Sequence, residues 1–139
     1  MSKRQKTRPA PRAEKRVDTR KEKRLAQLRQ LVIDTADKLP DLGGLQETTK
    51  WGQLSFLPAK PRIGTTVRLG VHDETHVALY VHCQTDLIST FRTVCPELEY
   101  SGNRALLVPL AGRLPTQSLR LFIEAALLYH LHKRRKLAG

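Results

Sequence analysis

From Val17 onward, apolar residues recur every three or four positions: Leu25, Leu28, Val32, Ala36 and Leu39. That period predicts an amphipathic helix, closed by Pro40 and the Gly43-Gly44 pair. The pattern then changes. Thr48, Thr49, Trp51, Phe56 and Leu57 suit a pleated surface, so this stretch is expected as strand, with Gly52 a bulge or bend. Pro58 to Pro61 reads as a loop. Thr65 to Val71 alternates, with Thr65, Val67, Leu69 and Val71 on one face and Thr66, Arg68, Gly70 and His72 on the other. His76 to Cys83 alternates too, setting Val77, Leu79, Val81 and Cys83 against His76, Ala78, Tyr80 and His82.

These two segments fix their own register. Both apolar sets must face one core, and a slip of one residue would turn one set to the wrong side. Pairing Val71 with Val77, Leu69 with Leu79 and Val67 with Val81 leaves Asp73-Glu74-Thr75 as a hairpin loop of accepted length. The reverse face then pairs His72 with His76, Arg68 with Tyr80, and Thr66 with His82.

Further on, Thr85 or Asp86 can cap a short helix carrying Leu87, Ile88, Phe91 and Val94, stopped by Pro96. Ser101-Gly102-Asn103 is a turn, and Arg104 to Val108 a strand ended by Pro109. Pro115-Thr116 opens a final helix whose apolar positions, from Leu119 to Leu128, cover more than one stripe and predict burial. Helix, strands, helix, strand, helix is the order of an α+β domain, an antiparallel sheet with helices packed mainly on one face.

Charge changes this picture only at the ends. The net charge is +12 over 139 residues. Residues 1–24 hold eleven Lys/Arg against Glu14, Asp18 and Glu22, and Lys133 to Lys136 add four more cations. The middle is neutral. Residues 1–16, rich in Lys, Arg and Pro and without apolar residues to bury, are expected as a disordered basic tail; 17–132 is the domain and 133–139 a basic C-terminal tail. Residues 1–24 and 133–136 could therefore hold nucleic acid by phosphate contacts alone, with steep salt dependence. Two cysteines, no signal-peptide core and no apolar run near the ~20 residues of a membrane span give a cytoplasmic expectation with reduced thiols and no membrane partner.

Candidate chemistry is sparse. His72, His76, Asp73 and Glu74 cluster around the hairpin loop, with His82 on the same face, and iron or zinc would accept such ligands. No tight Cys/His spacing accompanies them, so no cofactor is expected and metal handling is the alternative. Cys83 falls on the core-facing side and Cys95 beside a helix-ending Pro, where thiols act as small hydrophobes. Glu47 has no evident partner. Catalytic residues are not expected, and the chain reads as non-enzymatic. The stronger candidate is a binding site. Arg68 and Tyr80 share the reverse face, and Lys50, Trp51, His82, Asn103 and Arg104 adjoin it along the sheet. Planar guanidinium forks beside aromatic walls suit a small anionic ligand, and a protein partner is the other occupant considered.

Glu47-Thr-Thr-Lys-Trp-Gly-Gln-Leu-Ser-Phe56, Thr66-Val-Arg-Leu-Gly70, Ala78-Leu-Tyr-Val-His-Cys-Gln-Thr85 and Gly102-Asn-Arg-Ala105 resemble, in order and spacing, the YdhG-like family of small bacterial domains of unknown function. The resemblance spans about Leu25 to His132. It implies an α+β fold and, since some members have been likened to frataxin, an intracellular iron-chaperone role as an alternative. Lys50, Trp51, Gly52, Arg68, Tyr80, His82, Asn103 and Arg104 occupy that family's motif positions.

Overall fold

In a computed structural model, which describes residues 9–50 and 53–138, the chain is an antiparallel sheet backed by helices. In chain order the elements are α1 (Pro9–Asp37), a 3-10 turn (Pro40–Leu42), β1 (Leu45–Lys50), β2 (Gln53–Pro58), β3 (Val67–Val71), β4 (His76–Tyr80), α2 (Leu87–Val94), β5 (Glu99–Ser101), β6 (Ala105–Pro109), α3 (Thr116–Leu127) and α4 (Tyr129–Ala138). The six strands lie in the order β1-β2-β3-β4-β6-β5, every neighbour antiparallel. The expected α+β architecture is the observed one.

The hairpin register follows from alternation. Arg68 pairs with Tyr80, Leu69 with Leu79 and Val71 with Val77. Inward from that ladder, Phe56, Val67, Leu69, Val77, Leu79, Leu106 and Val108 are buried, and Leu28, Val32, Leu119, Phe122, Ile123 and Leu127 from α1 and α3 close over them. Burying each such side chain contributes about 1.5–3 kcal/mol. Phe91 of α2 meets Phe122 edge to face at 5.1 Å, joining α2 to α3. Val71 departs from its expected burial and is 46% exposed.

Other differences are informative. The stretch read as one strand folds back as two, β1 and β2, with Lys50 opposite Gln53; Trp51 and Gly52 lie outside the described residues. The first helix opens at Pro9, within the stretch expected as tail, since Ala, Glu, Lys and Arg are good helix formers without an apolar face. Residues 133–138, expected as a tail, extend α4. Three of its cations have partners: Lys133 with Asp86 at 3.2 Å, Arg135 with Asp41 at 3.8 Å, and Arg134 donating to the Arg62 carbonyl. Arg24, counted in the basic end, is only 7% exposed. It donates to the carbonyls of Leu110 at 3.0 Å and Gly112 at 2.7 Å, pinning the β6–α3 loop to α1. Glu47 does have a partner: the Arg29 fork grips it at 2.6 and 2.9 Å, tying the edge strand to α1.

The expected single final helix is two. It breaks at Leu128, where no Pro or Gly stands. The cause is tertiary. The segment before β3 crosses the break: Thr65 N–H donates to the Ala126 carbonyl at 2.9 Å and the Leu131 N–H to the Ile63 carbonyl at 2.9 Å. Gly64 sits between these bonds, so close that a Cβ there would stand 2.0 Å from the Leu127 oxygen. Only a glycine allows the approach.

Candidate functional site

The face of the sheet away from the helices carries the site. One transverse row runs Ser55, Arg68, Tyr80, Ala105. Small side chains flank the long pair, which leaves Arg68 and Tyr80 standing above their neighbours. At the end of the β3–β4 hairpin remote from its turn they border a pocket of about 380 Å³, lined by Gln53, Thr65, Thr66, Arg68, Tyr80, Val81, His82, Cys83 and Arg104.

Local structure explains each arrival. β4 leaves the regular ladder after Tyr80, and Val81 N–H bonds the Arg104 carbonyl at 2.8 Å, which carries the β5–β6 turn and Arg104 to the pocket. His82 then opens a turn: its carbonyl accepts from Thr85 N–H at 3.1 Å and from the Thr85 hydroxyl at 2.8 Å. The His82 ring accepts the Gln84 N–H on Nδ1 at 3.0 Å, leaving Nε2 as the donor of the neutral tautomer. Gln53 lies flat on Gly70, where a Cβ would meet its Nε2 at 2.7 Å. Thr65 and Thr66 follow directly on the segment clamped to the helix break.

Of the residues singled out from sequence, the structure brings Arg68, Tyr80, His82 and Arg104 to one pocket. Asn103 is exposed in the β5–β6 turn and does not line it. Lys50 ends β1; its side chain and Trp51 lie outside the described residues. Gln53, Thr65 and Thr66 were not anticipated as lining. Their sequence signal is weak, since polar residues beside a strand are common. Cys83 corrects its expectation: the alternation that would have turned it inward holds through buried Val81 and ends at the His82 turn, and Cys83 is exposed on the pocket rim while Cys95 is buried. His82 and Cys83 thus share one cavity, but among the described residues no hydrogen bond joins thiol and ring.

The electrostatics are one-sided. Among the described residues no Asp or Glu lines the pocket, and neither the Arg68 nor the Arg104 guanidinium has a hydrogen bond or ion pair. Burial pushes the Tyr80 phenol above its ordinary pKa, with Arg104 pulling the other way, so near neutral pH it stays a proton donor. Its hydroxyl lies 3.3 Å from His72 Nδ1.

The histidines of the hairpin turn are occupied locally. His76 bridges two carboxylates, Nδ1 3.2 Å from Asp73 and Nε2 2.9 Å from Glu99. Asp73 is held below the usual carboxylate range, first by the Thr75 backbone N–H. Among the described residues no three His, Cys, Asp or Glu side chains are grouped to hold a metal ion. No described helix is long and apolar enough to cross a membrane. Comparison with protein-family models, with curated proteins and with solved structures found nothing that matches this chain.

Proposed function

We propose that the chain is a cytoplasmic, non-enzymatic domain of YdhG-like type that binds a small anionic ligand in the pocket of Arg68 and Arg104. The observation that carries the reading is the pair of guanidiniums in one concavity with neither a partner nor a carboxylate beside them among the described residues. Two like charges at one site repel each other, an arrangement that a bound anion relieves. Tyr80 walls the site, His82 offers its ring N–H, and Lys50 and Trp51 are assigned to the same site by their place in the sequence motif.

The test is thermal denaturation with a panel of small anions at constant ionic strength, on the parent chain and on Arg68→Gln/Arg104→Gln. A ligand that binds only the folded state at 100 times its Kd adds about 2.7 kcal/mol of stability, and the double variant should lose that gain. An equal shift in both proteins would refute the pocket.

A second reading, association with nucleic acid, rests on the helical backbone from Pro9 through the Lys/Arg-rich segment. It is independent of the pocket, since electrostatic attachment to phosphates needs only clustered cations.

A further inference from the structure

We infer that the ligand is an organic phosphate monoester, with its phosphoryl group on Arg68 and Arg104; this rests on the anion-binding reading above. Three properties of the pocket point there. The first is charge. Two guanidiniums, with no carboxylate among the described lining residues, present a double positive charge. A phosphate monoester carries about −1.5 to −2 near neutral pH, whereas a monocarboxylate would leave one guanidinium uncompensated.

The second is donor count. Beside the two forks stand the hydroxyls of Thr65 and Thr66 and the amide of Gln53, all able to donate. A phosphoryl group has three strong acceptor oxygens to meet them; a carboxylate has two. Arg suits such groups because its fork binds two oxygens at once.

The third is size. At about 380 Å³ the pocket falls in the roughly 300–1,000 Å³ range of organic-ligand sites. It therefore has room for a body beyond the phosphoryl group, against Val81 and the Tyr80 ring, with Gln53 and His82 available to hydroxyls on that body.

Cys83 supplies the readout. It is exposed on the rim while Cys95 is buried, so iodoacetamide, which is neutral, should alkylate Cys83 selectively in the folded chain. The rate is followed by mass spectrometry with glycerol 3-phosphate, inorganic phosphate, succinate or acetate present at matched ionic strength. Glycerol 3-phosphate is expected to slow alkylation about fivefold or more at millimolar concentration, well beyond inorganic phosphate. Arg68→Gln/Arg104→Gln should abolish that protection. Succinate or acetate protecting as well as glycerol 3-phosphate would overturn the phosphate assignment and leave the anion site standing. Equal protection by inorganic phosphate would overturn the organic body. Protection by none of the four, with the parent chain folded by circular dichroism, would bring down the anion site as well.

Discussion

Gly64→Ala tests whether the crossing segment holds the fold together. The new Cβ would lie 2.0 Å from the Leu127 oxygen, 2.3 Å from its carbonyl carbon and 2.8 Å from the Ala126 oxygen. These are backbone atoms at the end of α3 and cannot swing aside as a side chain would. Relief requires separating residues 63–65 from the helix break by about an ångström, since carbon–oxygen contacts settle near 3.3 Å. That separation breaks Thr65 N–H to Ala126 O and Leu131 N–H to Ile63 O, both 2.9 Å. Leaving such partners unsatisfied costs about 1–2 kcal/mol each. Ile63, now 4% exposed, would lose part of its burial, worth about another 1 kcal/mol. The sum is about 3–5 kcal/mol, a large share of the roughly 5–15 kcal/mol that holds a domain folded. Urea denaturation followed by circular dichroism measures it, with Gly102→Ala as control. Gly102 has φ of 61° and nothing within 4 Å of its would-be Cβ, so the control pays only the left-handed penalty of about 1 kcal/mol. Should Gly64→Ala cost no more than the control, the crossing segment is not the constraint described here.

Four further outcomes follow from the same contacts. Arg24→Met strips the β6–α3 loop of the donor to Leu110 and Gly112 and should cost about 2–4 kcal/mol in urea unfolding; a neutral result would mean those carbonyls find water. Tyr100→Phe removes the hydroxyl 2.9 Å from the Phe91 carbonyl and 2.8 Å from the Cys95 carbonyl at the end of α2, with an expected loss of about 1–2 kcal/mol, and an unchanged urea midpoint would show that α2 needs no such cap. Glu47 is held below the usual carboxylate range by its hydrogen bonds to Arg29, so its contribution is complete above the unfolded pKa and vanishes as pH falls through the folded one. Glu47→Gln should therefore lower the urea midpoint near neutrality and match the parent chain in acid; a gap that persists in acid would exclude the ion pair as its cause. Removing residues 1–20 deletes eight Lys/Arg yet spares Arg24, and low-salt DNA binding should disappear with them; binding that persists would have to come from elsewhere on the chain.

The β3–β4 hairpin was legible because alternation is a local property with a period of two, a slip of one residue would set Leu69 and Leu79 on opposite sides, and the short loop selects among the registers that remain. That register alone sets Arg68 beside Tyr80. Arg104 could be placed near them once a turn and a strand were read at 101–108. What the sequence hid was tertiary. Leu128 shows no local sign of ending a helix; the break is made by carbonyls and N–H groups that turn to residues 63–65. Arg24 is chemically one more cation in a basic run, and its burial depends on a loop 86 to 88 residues away. Cys83 misled because alternation was extended past His82, where the chain enters a turn.

The pocket and the core share one fastening. Ile63 is buried among the helices, Gly64 passes the helix break, and Thr65 and Thr66, the next two residues, are pocket wall. Arg62, just before them, sits at φ of 61°, a left-handed conformation costly for a residue with a side chain. Its carbonyl accepts from Arg134, so α4 holds the segment in place at that end. The opposite wall is built differently. Gln53 begins β2 in the β1–β2 hairpin, whose edge strand reaches the helices through the Arg29–Glu47 pair. Such a surface pair is a weak tie beside buried backbone bonds. The stronger tie is Phe56 of β2, which is fully buried in the same core, so both sides of the pocket are fixed to it.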